Sequence, residues 1–255
     1  CAGYVRQSKP DGAWKDLKIA FVHDWLNGMR GGEKVLEALI GLWPEADIHT
    51  LFYEPRAVSE RIRERRVFVS PLQRLPGAGR RYRSLLPLFP WAVGRFRLAG
   101  YDLVVSISHC VAKSAAVGDP ARHLCYCLTP MRYLWTHFGQ YFGRGQAAWP
   151  QRLAMRALRR PLRRWDRSTS RRAGRYLAIS RAVAQRIQTI YSRSAPVVHP
   201  PVDTDFFTRG TGSESGYWLA ASAMVPYKRL DLAVEACSRL GLALIEGGFL
   251  QESAE

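Results

Sequence analysis

The first residues that suggest chemistry are two adjacent glycines, Gly31 and Gly32, between an apolar run and an amphipathic pattern. Residues 18–23 read as a buried parallel strand, and residues 33–43 have the apolar spacing of a helix. Glycine lets the backbone approach a ligand closely, and the N–H groups at a helix start attract anions such as phosphate. Because an ordinary strand–helix turn also contains glycine, the pattern alone predicts only some anion.

Candidate polar ligands follow other apolar runs, at the strand ends where parallel sheets bind ligands. His109 follows the run 102–108, and Arg132 follows the run 123–128. His109 can hydrogen-bond a substrate hydroxyl or phosphate, or be a loop histidine that the protein itself satisfies. Arg132 can hold an acceptor phosphate with two hydrogen bonds, or cap a neighbouring helix.

Two further cations, Lys228 and Arg229, follow the apolar run 217–222 near a helix start. A cation at this position suits a diphosphate, and a solvated helix terminus is the alternative.

Cysteine and histidine spacing raises a metal site. His123, Cys125 and Cys127 share one face of a predicted strand. No second ligand pair stands at a suitable spacing, so we favour buried structural cysteines and predict no metal. The five cysteines come without an export signal, and we expect reduced thiols in the cytoplasm. No apolar stretch is long enough for a transmembrane helix.

Apolar runs alternate with helical patterns, which predicts parallel strands with helices on both faces. The expected fold class is α/β with a doubly wound sheet. Helices are expected near residues 79–98 and 131–142. Pro87 and Pro90 should interrupt the first of these helices. Strands are expected near residues 18–23, 47–52, 67–70, 102–108, 123–128, 176–180 and 197–199, and the other helices near 33–43, 56–65, 147–173 and 181–191.

The strand–helix pattern starts again after a Gly/Ser-rich linker at residues 209–215. We therefore predict an N-terminal extension (1–17), a Rossmann-like domain (18–208) and the start of a second Rossmann-like domain (216–255). This last stretch is too short for an independent doubly wound domain, so we expect it to be truncated.

The charge distribution predicts an anionic partner. The net charge is +17, and residues 144–186 contain 13 arginines and a single acid, Asp166. Nucleic acid, anionic lipid and a phosphorylated substrate all fit such a patch. The segments 80–98 and 152–167 combine arginines with apolar stripes, which suits an anionic membrane surface or packing on the protein's own sheet.

Seven short motifs in order resemble family 4 of the retaining glycosyltransferases, over roughly residues 18–247. The branch they resemble builds bacterial cell-surface polysaccharides, often as mannosyltransferases. The motifs are His23-Asp24-Trp25, Gly31-Gly32-Glu33-Lys34, Ser106-Ile107-Ser108-His109, Tyr126-Cys127 with Thr129-Pro130-Met131-Arg132-Tyr133, Ala178-Ile179-Ser180, His199-Pro200-Pro201-Val202-Asp203 and Val225-Pro226-Tyr227-Lys228-Arg229.

The resemblance implies a GT-B fold, with an acceptor-side first domain and a donor-side second domain. It places Gly31, Gly32, Lys228 and Arg229 at the donor diphosphate and His109 at the transferred sugar as the catalytic residue. The acceptor-side residues would be Asp24, Arg132 and Tyr133.

The implied substrates are a nucleotide-sugar, with GDP-mannose favoured, and a lipid-linked or glycan acceptor. No cofactor or metal is required, because N–H groups and cations stabilise the leaving diphosphate. The enzyme would be cytoplasmic and peripheral on the inner face of the plasma membrane.

The sequence also departs from the family pattern. Ala223 and Leu128 replace a usual arginine and histidine, and the usual Gly-Asp-Gly reads Glu246-Gly247-Gly248. A catalytically incomplete acceptor- or membrane-binding module is therefore the alternative function. A nucleic-acid-binding protein would explain the charge but not the ordered motifs, so we expect no nucleic acid partner.

Overall fold

The computed structural model describes residues 17–78, 82–208, 216–222, 224 and 228–247. The chain forms two compact units, divided between Pro201 and Val202. The predicted linker 209–215 and nearly all of the N-terminal extension lie outside the described residues.

The first unit is built on six parallel strands in the order β3-β2-β1-β4-β5-β6. This is the order of a doubly wound Rossmann-like sheet, in which the chain reverses direction between β1 and β4. The predicted α/β class is therefore confirmed. The strands are β1 (Ile19–His23), β2 (Asp47–Thr50), β3 (Val67–Val69), β4 (Leu103–Ser108), β5 (His123–Cys127) and β6 (Arg175–Ala178).

Helices cover both faces of this sheet. The helices of the first unit are α1 (Gly31–Leu42), α2 (Glu60–Arg63), α3 (Phe89–Val93), α4 (Phe138–Phe142), α5 (Trp149–Thr169) and α6 (Arg181–Tyr191). Alternate residues of β1 enter different cores: Ala20 and Val22 pack on one face, and Ile19 and Phe21 on the other. A strand buried on both faces needs an unbroken apolar run, as the sequence has here.

Several predicted elements are shorter than expected, among them the helix at 56–65, which forms only as α2. Proline accounts for one of them, because Pro87 lies in the 3-10 helix Tyr82–Leu88 and Pro90 starts α3 in place of one long helix. The helix expected at 131–142 forms only as α4. The strand expected at 197–199 is reduced to one bridge, between Ala178 and Val197.

The second unit contains β7 (Tyr217–Ala221), α7 (Leu230–Leu240) and β8 (Ala243–Gly247). The two strands pair in parallel, so the unit has the β–α–β connection that was predicted. In the described parts of both units, no helix is long and apolar enough to cross a membrane.

Candidate functional site

The carboxylate of Asp24 organises the loop at the reversal point of the sheet. Asp24 follows β1 and is fully buried. Its Oδ2 accepts the N–H groups of His109 and Cys110 at 2.7 and 2.8 Å. Its Oδ1 accepts those of Val111 and Ala112 at 2.6 and 2.7 Å. Because both oxygens are occupied by the loop after β4, Asp24 positions this loop rather than contacting an acceptor itself.

The His109 imidazole is held by the same carboxylate. Its Nδ1 lies 3.2 Å from Asp24 Oδ2, and its ring meets the Trp25 ring edge-on at 4.4 Å between centres. Burial lowers the pKa of His109 to about 4, although Asp24 opposes this shift. The ring is therefore neutral at pH 7. Since a carboxylate only accepts, Nδ1 carries the proton and Nε2 presents a lone pair that can accept a hydrogen bond from a hydroxyl.

The two glycines at the start of α1 have different surroundings. A Cβ on Gly32 would lie 2.9 Å from Leu128 Cδ1 and 3.1 Å from His23 Nε2, whereas one on Gly31 would meet nothing within 4 Å. His23 is buried, and its Nδ1 donates to the Trp25 carbonyl at 2.8 Å. Among the described residues its Nε2 has no hydrogen-bond partner. Packing therefore favours glycine at position 32, because a Cβ there would displace Leu128 and crowd His23, while the space around position 31 is open.

Positive charge surrounds this corner of the sheet. Arg30 immediately precedes α1 and is exposed. Its backbone N–H donates to the Glu33 carboxylate at 3.2 Å. Burial, Asp24 and His23 have the largest effects on the pKa of His109. The positive charges of Arg132 and Arg30 lower this pKa further. A neutral imidazole that feels the charges of two guanidinium groups, next to a helix N-terminus, is suited to a sugar that is linked to an anionic group such as a diphosphate.

The far end of the His109 loop is anchored by a buried ion pair that sequence reasoning missed. Lys113 Nζ lies 3.0 Å from Asp166 Oδ1 and also donates to Ser114 Oγ at 3.0 Å. Asp166 Oδ2 accepts from Trp135 Nε1 at 2.7 Å and from the Tyr191 hydroxyl at 2.9 Å. Both charged side chains are buried. The only available signal was that Asp166 is the single acid among 13 arginines.

The other acceptor-side residues differ in exposure. Arg132 is half-buried, close enough to influence His109 electrostatically. Tyr133 is buried against Tyr141, with 4.5 Å between ring centres, and burial raises its pKa well above the usual value. Direct contact with an acceptor therefore stays a prediction for Arg132. Tyr133 is buried, and its ring packs against the Tyr141 ring.

The predicted cations of the second unit lie at the start of α7. Lys228 is exposed. Arg229 has a left-handed backbone with φ 51°, and its Nε and Nη2 bind the Asp231 carboxylate at 3.0 and 2.8 Å. Part of its charge is thus already offset. Residues 223, 225–227 and 248, which belong to the family-like motifs and their departures, lie outside the described residues.

The His123–Cys125–Cys127 face is packed rather than arranged around an ion. Nε2 of His123 lies 2.8 Å from Ser106 Oγ, and Nδ1 lies 3.2 Å from the Arg172 carbonyl. Both cysteines are buried in the core beneath α6. No group of three or more potential metal ligands occurs in the described part of the chain.

The family model for Glycosyltransferase Family 4 matches residues 29–206. The chain belongs to glycosyltransferase family 4. Among the solved structures, the chain is similar to the crystal structure of the glycotransferase of kitacinnamycin, with 12% sequence identity and a TM-score of 0.44. That match covers 92% of this chain and spans 66% of the other chain's length. No curated protein matches the chain.

The family-4 region includes the start of α1, the His109 loop and the Lys113–Asp166 anchor, since all lie between residues 29 and 206. The predicted membership of family 4 is thereby confirmed. Asp24 lies just before the matched region, and its role rests on its four hydrogen bonds to the His109 loop. Lys228 lies beyond the matched region, and its role stays a prediction from the motif order.

Proposed function

We propose that this family-4 protein transfers a sugar from a nucleotide-sugar to a lipid-linked or polysaccharide acceptor in cell-envelope glycan synthesis. The proposed donor is GDP-mannose, and the reaction retains the anomeric configuration. The observation that carries the proposal is the neutral His109, held by Asp24 beside the glycine-led start of α1.

The α1 start supplies the proposed donor-phosphate site of the first unit. The open position at Gly31 leaves backbone N–H groups accessible, and the helix dipole favours an anion there. Arg30 adds positive charge next to the same turn. Lys228 and Arg229 are the donor-phosphate ligands that we propose for the second unit. N–H groups and cations of this kind stabilise negative charge on a leaving nucleoside diphosphate, so the proposed reaction requires no metal ion.

His109 is proposed to orient the transferred sugar. Its Nε2 lone pair accepts a hydrogen bond from a sugar hydroxyl, and the Asp24 contact fixes the ring for that purpose. Retention places the acceptor and the departing diphosphate on the same face of the sugar. The loop amides are occupied by Asp24, so the imidazole is the group of this loop that reaches the substrate.

The proposed acceptor side includes Arg132, with Tyr133 behind it. A lipid-linked diphosphate sugar would supply the anion for Arg132. The protein would then act as a peripheral enzyme on the inner face of the plasma membrane, and the net charge of +17 supports contact with an anionic surface.

Calorimetric titration with a panel of GDP- and UDP-sugars tests this proposal. We expect saturable binding, with GDP-mannose tightest. Gly32→Ala should weaken binding because its Cβ crowds His23 and Leu128. Gly41→Ala, in the same helix but with nothing within 4 Å of its Cβ, is the matched control for loss of a glycine without a clash. A protein that binds vesicles but no nucleotide-sugar would contradict the enzyme and favour a membrane-binding module.

A further inference from the structure

One face of α5 carries an unbroken exposed row of side chains, which we name the α5 stripe. Trp149 and Leu153 begin it and are 72% and 62% exposed. Steps of three or four residues then lead to five arginines, four on α5 and one in the 3-10 turn that follows it, and this spacing keeps side chains on one helix face. The arginines of the stripe are Arg156, Arg160, Arg164, Arg167 and Arg171, all exposed. At 1.5 Å per residue, the helical part from Trp149 to Arg167 is about 27 Å long.

The second half of the stripe opens onto a groove of about 670 Å³ between α5 and the end of α6. Its walls carry hydroxyl and guanidinium groups, and no acidic side chain lines it. The groove is lined by Trp135, Arg160, Arg163, Arg164, Arg167, Ser168, Ser170, Arg171, Tyr191 and Ser192.

The positive charge of this groove has no acidic counterpart. Asp166, the only acid of the segment 144–186, is buried on Lys113. Within the described residues, no arginine of that segment forms an ion pair with a carboxylate. A cluster of cations without acids is stabilised by an external anion.

Two arginines that line the groove, Arg163 and Arg167, show how closely the positive charges are packed. Arg163 donates to the Leu134 carbonyl at 2.7 and 2.9 Å, and Arg167 donates to the Ile190 carbonyl at 2.9 Å. Both guanidinium groups lie over the Trp135 ring, at 4.6 and 5.2 Å from its centre. Burial lowers the pKa of Arg163, and the positive charges of the neighbouring Arg159 and Arg167 lower it further. Arg163 and Arg167 are therefore held against the protein, and Arg160, Arg164 and Arg171 are left to meet a ligand.

We propose that the α5 stripe docks on an anionic phospholipid surface, with Trp149 and Leu153 in the interface and the arginine groove over lipid phosphates. The inference rests on the proposed function in that it names the membrane partner of the same enzyme. An apolar end continuous with a row of arginines is the pattern of interfacial helices. Trp135 is covered by two guanidinium groups, which leaves it closed to base stacking and disfavours a nucleic acid.

Vesicle co-sedimentation of the whole chain tests the docking. Vesicles of phosphatidylcholine alone are compared with vesicles that also contain phosphatidylglycerol. The test variant is Arg160→Gln/Arg164→Gln/Arg171→Gln, whose three side chains make no hydrogen bond or ion pair among the described residues. The matched control, Arg56→Gln/Arg63→Gln/Arg74→Gln, removes the same charge from exposed arginines outside the stripe.

We expect the chain to bind the anionic vesicles and not the neutral ones. Each arginine near an anionic surface contributes roughly fivefold in affinity, so the test variant should bind on the order of a hundredfold more weakly. The control should stay within about threefold of the wild type, because its charges lie away from the surface. Trp149→Ser should weaken vesicle binding without changing the charge.

Equal loss in test and control variants would overturn the proposal, as would equal binding to both kinds of vesicle. Stripe-dependent binding of inorganic pyrophosphate or of a polynucleotide, without vesicle binding, would also overturn it. Vesicle binding is measured without a sugar donor, so absence of sugar transfer leaves this result intact and counts only against the proposed function.

Discussion

Replacing Asp24 with Asn should release the loop that carries His109. The carboxylate accepts four backbone N–H groups at 2.6–2.8 Å in a site closed to solvent. Asn exchanges one of its oxygens for an NH2 group, which is a donor and leaves two of these N–H groups without an acceptor. Each buried unsatisfied donor costs about 1–3 kcal/mol, so the expected loss is about 4 kcal/mol.

Hydrogen exchange of the four loop amides, followed by NMR, measures this loss directly. A decrease of about 4 kcal/mol in the free energy of local opening speeds exchange about a thousandfold. Asp119→Asn is the matched control, because exposed Asp119 accepts a single N–H among the described residues, that of Ala121 at 2.9 Å, and Asn retains that acceptor. Unchanged loop exchange in Asp24→Asn, or an equal change in Asp119→Asn, would refute the assigned role of the carboxylate.

Three further changes have expected outcomes in urea unfolding. Gly32→Ala should cost about 1–3 kcal/mol of stability through overpacking, whereas Gly31→Ala should cost about zero; equal midpoints would contradict this. Lys113→Met should cost about 3–5 kcal/mol because Asp166 is left charged and buried, and adding Asp166→Asn should restore part of that loss. Burial lowers the pKa of three histidines to about 4: His49, His109 and His123. Between pH 6.5 and 4 the unfolded state binds more protons than the folded state at these groups, so stability is present above this window and falls as the pH falls, by about 2 kcal/mol per histidine at pH 5. His49→Gln should reduce this slope by about a third, and an unchanged slope would refute the assignment.

Much of the fold could be predicted from the hydrophobic patterns of the sequence. The apolar run of β1 is buried on both faces, and the alternation of strands and helices leads to a parallel sheet. Strand order then explains why two distant motifs meet. Since β1 and β4 are neighbours at the reversal point, Asp24 and His109 come together although 85 positions separate them.

The predictions that failed concern elements whose extent depends on tertiary contacts. The interruption of the segment 79–98 that Pro87 and Pro90 predicted is present, but the segment 131–142 has helical spacing and becomes helical only at Phe138–Phe142. The segment 197–199 has strand-like residues, yet its pairing with β6 amounts to a single bridge between Val197 and Ala178. The local sequence pattern indicates whether an element is a helix or a strand. Where the element begins and ends depends on its packing in the folded protein.

The candidate site was only partly visible in the sequence. The positions of Gly31 and His109 follow from strand–loop–helix order. The preference for glycine at position 32 does not, because it comes from His23 and Leu128 packing against that turn. The Lys113–Asp166 pair was also hidden, since a buried lysine and its distant acid carry no local signature.

Sugar transfer from GDP-mannose to a lipid-linked diphosphate sugar, followed by NMR of the product, tests the central claim most directly. The predicted result is an α-linked product, which retains the configuration of the donor, and a loss of at least about a hundredfold in rate for His109→Ala. Asp119→Asn should transfer at the wild-type rate. An inverted product, or a His109→Ala variant as fast as the wild type, would contradict the assignment of His109 and of the retaining reaction.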